Sequence, residues 1–175
     1  MTPDIDVRLQ SVIKAIEQVI LPAVDPNNPL AREQATVAIG HLQMIRGQWQ
    51  YLTDYVAGCL LDLTRLGFAL IGAADGGART VAAAAALDSH LSTADSAQHE
   101  PSYTLSRRRE TIAVRIDDLI KASAVDGSAK FREECEDLVL DYGVRQTERD
   151  RAWYKASGLD PDYANLPAPA ELVNR

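Results

Sequence analysis

The sequence predicts an all-α fold, a mainly antiparallel bundle of about five helices around one long central helix. Three observations carry this. The stretch from Leu30 to Ile71 holds no proline and sets Leu42, Ile45, Trp49, Leu52, Val56, Cys59, Leu63, Leu66 and Leu70 at alternating three- and four-residue spacings. That is one stripe of a helix that packs left-handedly against its neighbours, and Ala35 and Ala38 extend the beat upstream. Start and stop signals bracket the other apolar-periodic segments. Aromatic residues make up only 6% of the chain, so alanine and the aliphatics must do the packing, which favours closely approaching helices over a sheet.

The first helix is expected from Thr2, a capping residue followed by Pro3 at the first helical position and Asp4 at the positive end of the dipole. Ile5, Leu9, Val12, Ile16 and Val19 form its stripe, widened by Ile13 and Ile20, and Pro22 should end it. A proline-bounded connection, 22–29, leads to Asn28 and Pro29, which repeat the start signal for the central helix. Run without a break from Pro29 to Ala73, that helix would be about 65 Å long. A compact chain of this size has a radius of gyration of only about 16 Å, so the helix must kink or protrude. Gly40, Gly47, Gly58 and Gly67 are its soft points.

Asp75-Gly76-Gly77 reads as a turn, and Ala78–Leu91 as an alanine-rich third helix that neighbours can approach closely. Ser92–Ser102 is polar and reads as the chain's main loop. The fourth helix, Tyr103–Val125, carries Leu105, Ile112, Ile116, Leu119 and Ile120; Asp126-Gly127-Ser128 ends it and caps the next. The fifth, Ala129–Ser157, carries Phe131, Cys135, Leu138, Val139 and Tyr142 before its stripe fades into Arg145, Arg149 and Trp153, a face that is solvated or laid against a partner. Gly158 is placed to cap it. One helical-bundle domain over residues 1–160 is therefore expected, with an extended, proline-containing tail at 161–175 pinned by Tyr163, Leu166 and Leu172.

A net charge of −7 over 175 residues argues against binding nucleic acid or an anionic membrane surface. The imbalance sits in residues 1–100, with six Lys/Arg against eleven Asp/Glu; residues 101–175 hold twelve against fourteen. Cys59 and Cys135 lie on apolar stripes and make no disulfide framework. The acidic N-terminus lacks the features of a signal peptide, and Asp62 and Arg65 interrupt the most apolar run, so no membrane span is expected. A cytoplasmic, bacterial protein is the expectation.

No catalytic constellation, metal site or cofactor motif emerges. His41, His90 and His99 have no histidine or cysteine at ligand spacing, and bundle di-iron sites need Glu-x-x-His pairs, which are absent. The glycine-rich 72–77 run lacks the Gly-Lys-Ser/Thr of a phosphate loop. Glu133, Asp137 and Asp141 share one face, but one helix spaces carboxylates too widely to cage a cation, and Lys130, Arg132 and Arg145 balance them. The remaining candidate is Arg107, Arg108 and Arg109, with Arg115, as an anion-binding patch near the free N–H groups of the fourth helix. Arg108 and Arg115 lie two turns apart on one face, and Arg109, one turn before Ile112 and Ala113, is expected to be partly buried.

The run Val19-Ile20-Leu21-Pro22-Ala23-Val24, then Pro29-Leu30-Ala31 and Gln34-Ala35-Thr36-Val37-Ala38 with Leu42 and Ile45, resembles the start of certain small all-helical bacterial proteins. Those proteins, of unknown function, are found beside or fused to aminoglycoside-phosphotransferase-like kinases. The resemblance covers about the first 45 residues. It implies a helical fold and a kinase or acyl-CoA pathway neighbour, and it supplies no catalytic residue. The central helix carries apolar residues off its main stripe, Tyr51, Tyr55, Leu61, Phe68 and Ile71, which one bundle could not cover on both faces, so a homodimer is expected. The function expected is that of a non-catalytic accessory protein with a protein partner; the alternative is an enzyme, or a binder of a small anionic ligand, with a pocket between helices.

Overall fold

The computed structural model describes residues 4–91 and 100–172, and these are all-α. The expected start at Thr2, most of the Ser92–Ser102 loop and His99 lie outside the described residues. Asp4 caps α1 (Ile5–Ala15), its carboxylate accepting from the Asp6 and Val7 amides. The helix does not stop at Pro22. It widens into a π-helical stretch at Ile16–Ile20, where the Leu21 amide donates to the Ile16 carbonyl, and ends as α2 (Leu21–Ala23). An interior proline ring crowds the carbonyl four residues before it, here Gln18, and widening the turn relieves that crowding.

Asn28 caps α3 (Pro29–Gln48) through the Ala31 amide at 3.1 Å. A 3₁₀ turn at Trp49–Tyr51 interrupts the long helix just after Gly47, and α4 (Leu52–Ala73) follows. By length and composition alone the helical stretch 29–73 is long and apolar enough to cross a membrane, its most apolar 18 residues reaching a mean hydropathy of 1.6. This differs from the sequence expectation: Asp62 and Arg65 interrupt the run but are too few to offset it. Next come α5 (Ala78–Leu91), α6 (Ser102–Asp126), α7 (Ala129–Trp153), a 3₁₀ turn at Lys155–Ser157 closed by Gly158 at φ +68°, and the one-turn α8 (Pro169–Leu172).

Contacts group the chain into two compact units, one up to Tyr51 and from Asp150 on, the other Leu52–Arg149, where the sequence reads as one domain. In the first unit, α1 and α3 form a hairpin. Ile13 and Ile39 are buried in it, Asp6 grips Arg46 with two bonds of 2.7 and 3.0 Å, and Gln43 donates to Glu17 at 3.2 Å. The C-terminal segment is turn-rich rather than extended. Arg151 holds Asp160 with two bonds, Lys155 donates to the Leu166 carbonyl, and Leu172 is buried.

In the second unit α4 packs on α5 and α6, and α5 on α6. Val56, Cys59, Leu63, Leu66 and Leu70 of the beat are buried, as are Leu87, Leu91, Leu105, Ile112, Ile116 and Leu119. Of the central glycines, Gly40 and Gly47 face open space, whereas a Cβ on Gly67 would lie 2.9 Å from Leu91. The glycine-rich turn is locked by the end of α6. The Asp126 carboxylate accepts from the Arg79 amide at 2.8 Å, from the Thr80 amide at 3.0 Å and from the Thr80 hydroxyl at 2.6 Å, and so caps α5 from another helix. Gly76 (φ +153°) lies against the backbone of residues 126–128, where a Cβ would come within 2.6 Å. The anion at this helix N-terminus is the protein's own side chain. Ser128 caps α7 through the Phe131 amide, as expected.

Three carboxyls are held below their usual range: Asp6 by the Arg46 hydrogen bonds, Asp126 by the Thr80 hydroxyl and the Arg79 amide, and Asp160 by Arg151 and the Asp162 amide, down to about 2. A carboxyl depressed on folding stabilises the fold above its unfolded value and loses that contribution as pH falls through its folded value. The urea midpoint should therefore drop as pH is lowered from about 4 towards about 2, and Asp160→Asn should remove part of that slope. An unchanged slope in the variant would contradict this assignment.

Candidate functional site

Apolar periodicity places the four arginines. The inward stripe of α6 is Leu105, Ile112, Ile116, Leu119 and Ser123, and Arg108 falls on it between Leu105 and Ile112. Arg108 is accordingly half-buried, and its Nη1 donates to Glu100 Oε1 at 2.9 Å. Arg115, two turns on, is also half-buried, bonded to Asp118 at 3.1 Å, while its Nε is buried without a hydrogen-bond partner. Arg109 is exposed, contrary to expectation, because it is rotated about 100° off the stripe that Arg108 occupies. Arg107 is exposed and only 3.9 Å from Glu110. The helix begins at Ser102, so these residues stand beyond its first turn, where the dipole's pull has largely faded.

Two of the four meet at one place. Arg107 and Arg108 line an open cleft of about 210 Å³ with Thr104, Thr111 and Ile112 of α6 and His90 from the end of α5. His90 Nδ1 lies 2.8 Å from the Ala86 carbonyl, which only accepts, so that nitrogen carries the hydrogen. Two guanidiniums, the Thr104 hydroxyl and an imidazole suit a small anion; the Thr111 hydroxyl donates instead to the Arg107 carbonyl at 3.0 Å. Arg109 and Arg115 are not among the lining residues.

The sequence reading missed a second polar centre. Asp62 lies on the buried face of α4, only 8% exposed. Its Oδ2 meets Arg149 Nη2 at 2.5 Å and its Oδ1 meets Arg65 at 3.3 Å. Arg149 crosses directly over Gly58, where a Cβ would stand 2.6 Å from Nη1; glycine opens the space the guanidinium fills. One turn earlier on α7, Gln146 donates to Cys59 Sγ at 3.5 Å. The fading stripe of α7 is thus a polar inward face. The signal was present as Gly58, Asp62 and Arg149 all on otherwise apolar faces, but Arg149 is 87 residues from Asp62 and nothing local links them.

Glu133, Asp137 and Asp141 are exposed, and Asp141 pairs with Arg145. Among the described residues no group of three or more histidine, cysteine or acidic side chains is placed to hold a metal ion. Both cysteines are buried and free, and burial pushes the Cys135 thiol up. No family model, curated protein or solved structure matches the chain.

Removing one partner of a buried ion pair strands the other charge, at a cost of about 3 kcal/mol or more, whereas replacing both by apolar residues is often neutral. Asp62→Ala should lower unfolding free energy by about 3 kcal/mol, and Asp62→Leu/Arg149→Met should recover most of it. Chemical denaturation checks both; a double variant as unstable as the single would show that the pair is not coupled.

Proposed function

We propose that this chain is a non-catalytic interaction protein of the cytoplasm, accessory to a protein partner, and that it works as a homodimer. The observation carrying this reading is the half-covered apolar beat. The same period that buries Val56 through Leu70 leaves Ile45, Trp49 and Leu52 at 49%, 38% and 42% exposure. Apolar side chains kept at packing period yet left in water are the mark of a contact surface. Of the residues off the main stripe, Tyr55 is buried and Tyr51 and Ile71 are half-buried, while Leu61 and Phe68 stay about half exposed, seven apart on α4. This supplies a second apolar strip, suited to a different protein. Asp62, the one acid among the described residues that is buried, is engaged by Arg149 and Arg65, which supports a packing role over acid–base chemistry. The resemblance of the first 45 residues to companions of aminoglycoside-phosphotransferase-like kinases supports an enzyme as the partner.

Size exclusion with light scattering at micromolar concentration should give twice the chain mass of 19.1 kDa. A mass of 19.1 kDa would overturn the dimer.

The cleft at His90, Arg107 and Arg108 favours a second reading, a binder of a small anion. A ligand at a hundred times its Kd, bound only by the folded state, stabilises by about 2.7 kcal/mol. Phosphate, sulfate or coenzyme A should then raise the wild-type melting temperature and fail to raise that of Arg107→Ala/Arg108→Ala, with Arg109→Ala behaving as wild type. Equal responses from all three would reduce the patch to a solvated helix face.

A further inference from the structure

The α1–α3 hairpin is half of a bundle. Ile5, Leu9, Val12, Ile16 and Val19 on one helix and Ala35, Ala38, Leu42, Ile45 and Trp49 on the other each keep the alternating three-four spacing of a coiled-coil seam. Within the hairpin Leu9, Ile16, Ala35 and Leu42 are half-buried, every second member of each seam up to Ile45. Their alternates Ile5, Val12, Val19, Ala38 and Ile45 are exposed, and so is Trp49, the five larger ones at 38 to 66%. A helix in a four-helix bundle covers its seam against two neighbours; α1 has one, and α3 has α1 along its length and, at its C-terminal end, only the Lys155–Ser157 turn, where Gln48 donates to the Trp153 carbonyl at 2.7 Å.

We infer that the second neighbour is the hairpin of a second copy, so that α1 and α3 of two chains close a four-helix bundle about a two-fold axis. This rests on the homodimer proposed above and names its interface. Three observations select a second copy. The two arms match in length: residues 5–23 and 29–48 each span about 30 Å, as paired hairpins require. Both signs of charge are present on them, Arg8, Lys14, Arg32 and Arg46 against Asp6, Glu17 and Glu33. In a chain of net charge −7 this is a region where two copies meet without repulsion. The area also fits. A stable homodimer takes roughly 500 Å² of apolar surface from each partner, about 65% of 800 Å², and five large side chains about half exposed are of that order. A groove of about 240 Å³ lined by Ile5, Arg8, Leu9 and Val12 lies along this face.

Sedimentation across a concentration series tests the assignment. Val12→Asp and Ile45→Asp should each give the monomer mass where the wild type is a dimer, and the control Leu140→Asp, at a still more exposed apolar position on α7, should stay dimeric. Should an aspartate variant lose helical circular dichroism, Val12→Ala and Ile45→Ala decide in its place, each raising the dimer Kd about tenfold. Hairpin variants that dimerise as tightly as wild type and Leu140→Asp would overturn this interface while leaving the homodimer standing. A monomeric wild type would sink both.

Discussion

An apolar seam of unbroken three-four period must be covered along its whole length, and the rest of the structure depends on how that is met. From Val56 to Leu70 the chain covers it with α5 and α6. Covering it there requires the turn at 74–77 to fold α5 back at a defined angle. Asp126, reaching from the far end of α6, supplies the anion that the α5 N-terminus needs. Gly76 lets those two backbones touch, and Gly77 leaves room for the Asp126 side chain. Seam burial, turn chemistry and a cap given by a distant residue are one arrangement.

The same face accommodates a charge. Asp62 sits among Cys59, Leu63 and Leu66, where an unpaired carboxylate would be costly. Arg149 meets that need and Gly58 provides its room. Such a pair adds little net stability over an apolar one, while losing either partner strands the other charge.

Much of this was legible in the sequence because helical signals are local. The Asn28 and Ser128 caps, the bounds of α5 and the left-handed Gly158 follow from residues within a turn of each other. What was not legible is non-local. Asp62 and Arg149 are 87 residues apart, and Asp126 and Thr80 are 46 apart. The arginine patch shows both sides: spacing put Arg108 and Arg115 on one face, but an off-by-one choice of stripe buried Arg109 when Arg108 holds that position. Pro22 misled for another reason, since a π turn absorbs a proline that a regular α-helix would not.

The most direct measurement of the central claim, that the seam is covered by the chain itself after Val56 and by a second copy before it, is hydrogen exchange followed against protein concentration. Amides of α1 and α3 should gain protection as concentration rises through the dimer Kd and lose it on dilution, while those of α4, α5 and α6 keep the same protection throughout. Protection in α1 and α3 that does not change with concentration, in a sample whose mass shows the monomer–dimer transition, would contradict the account.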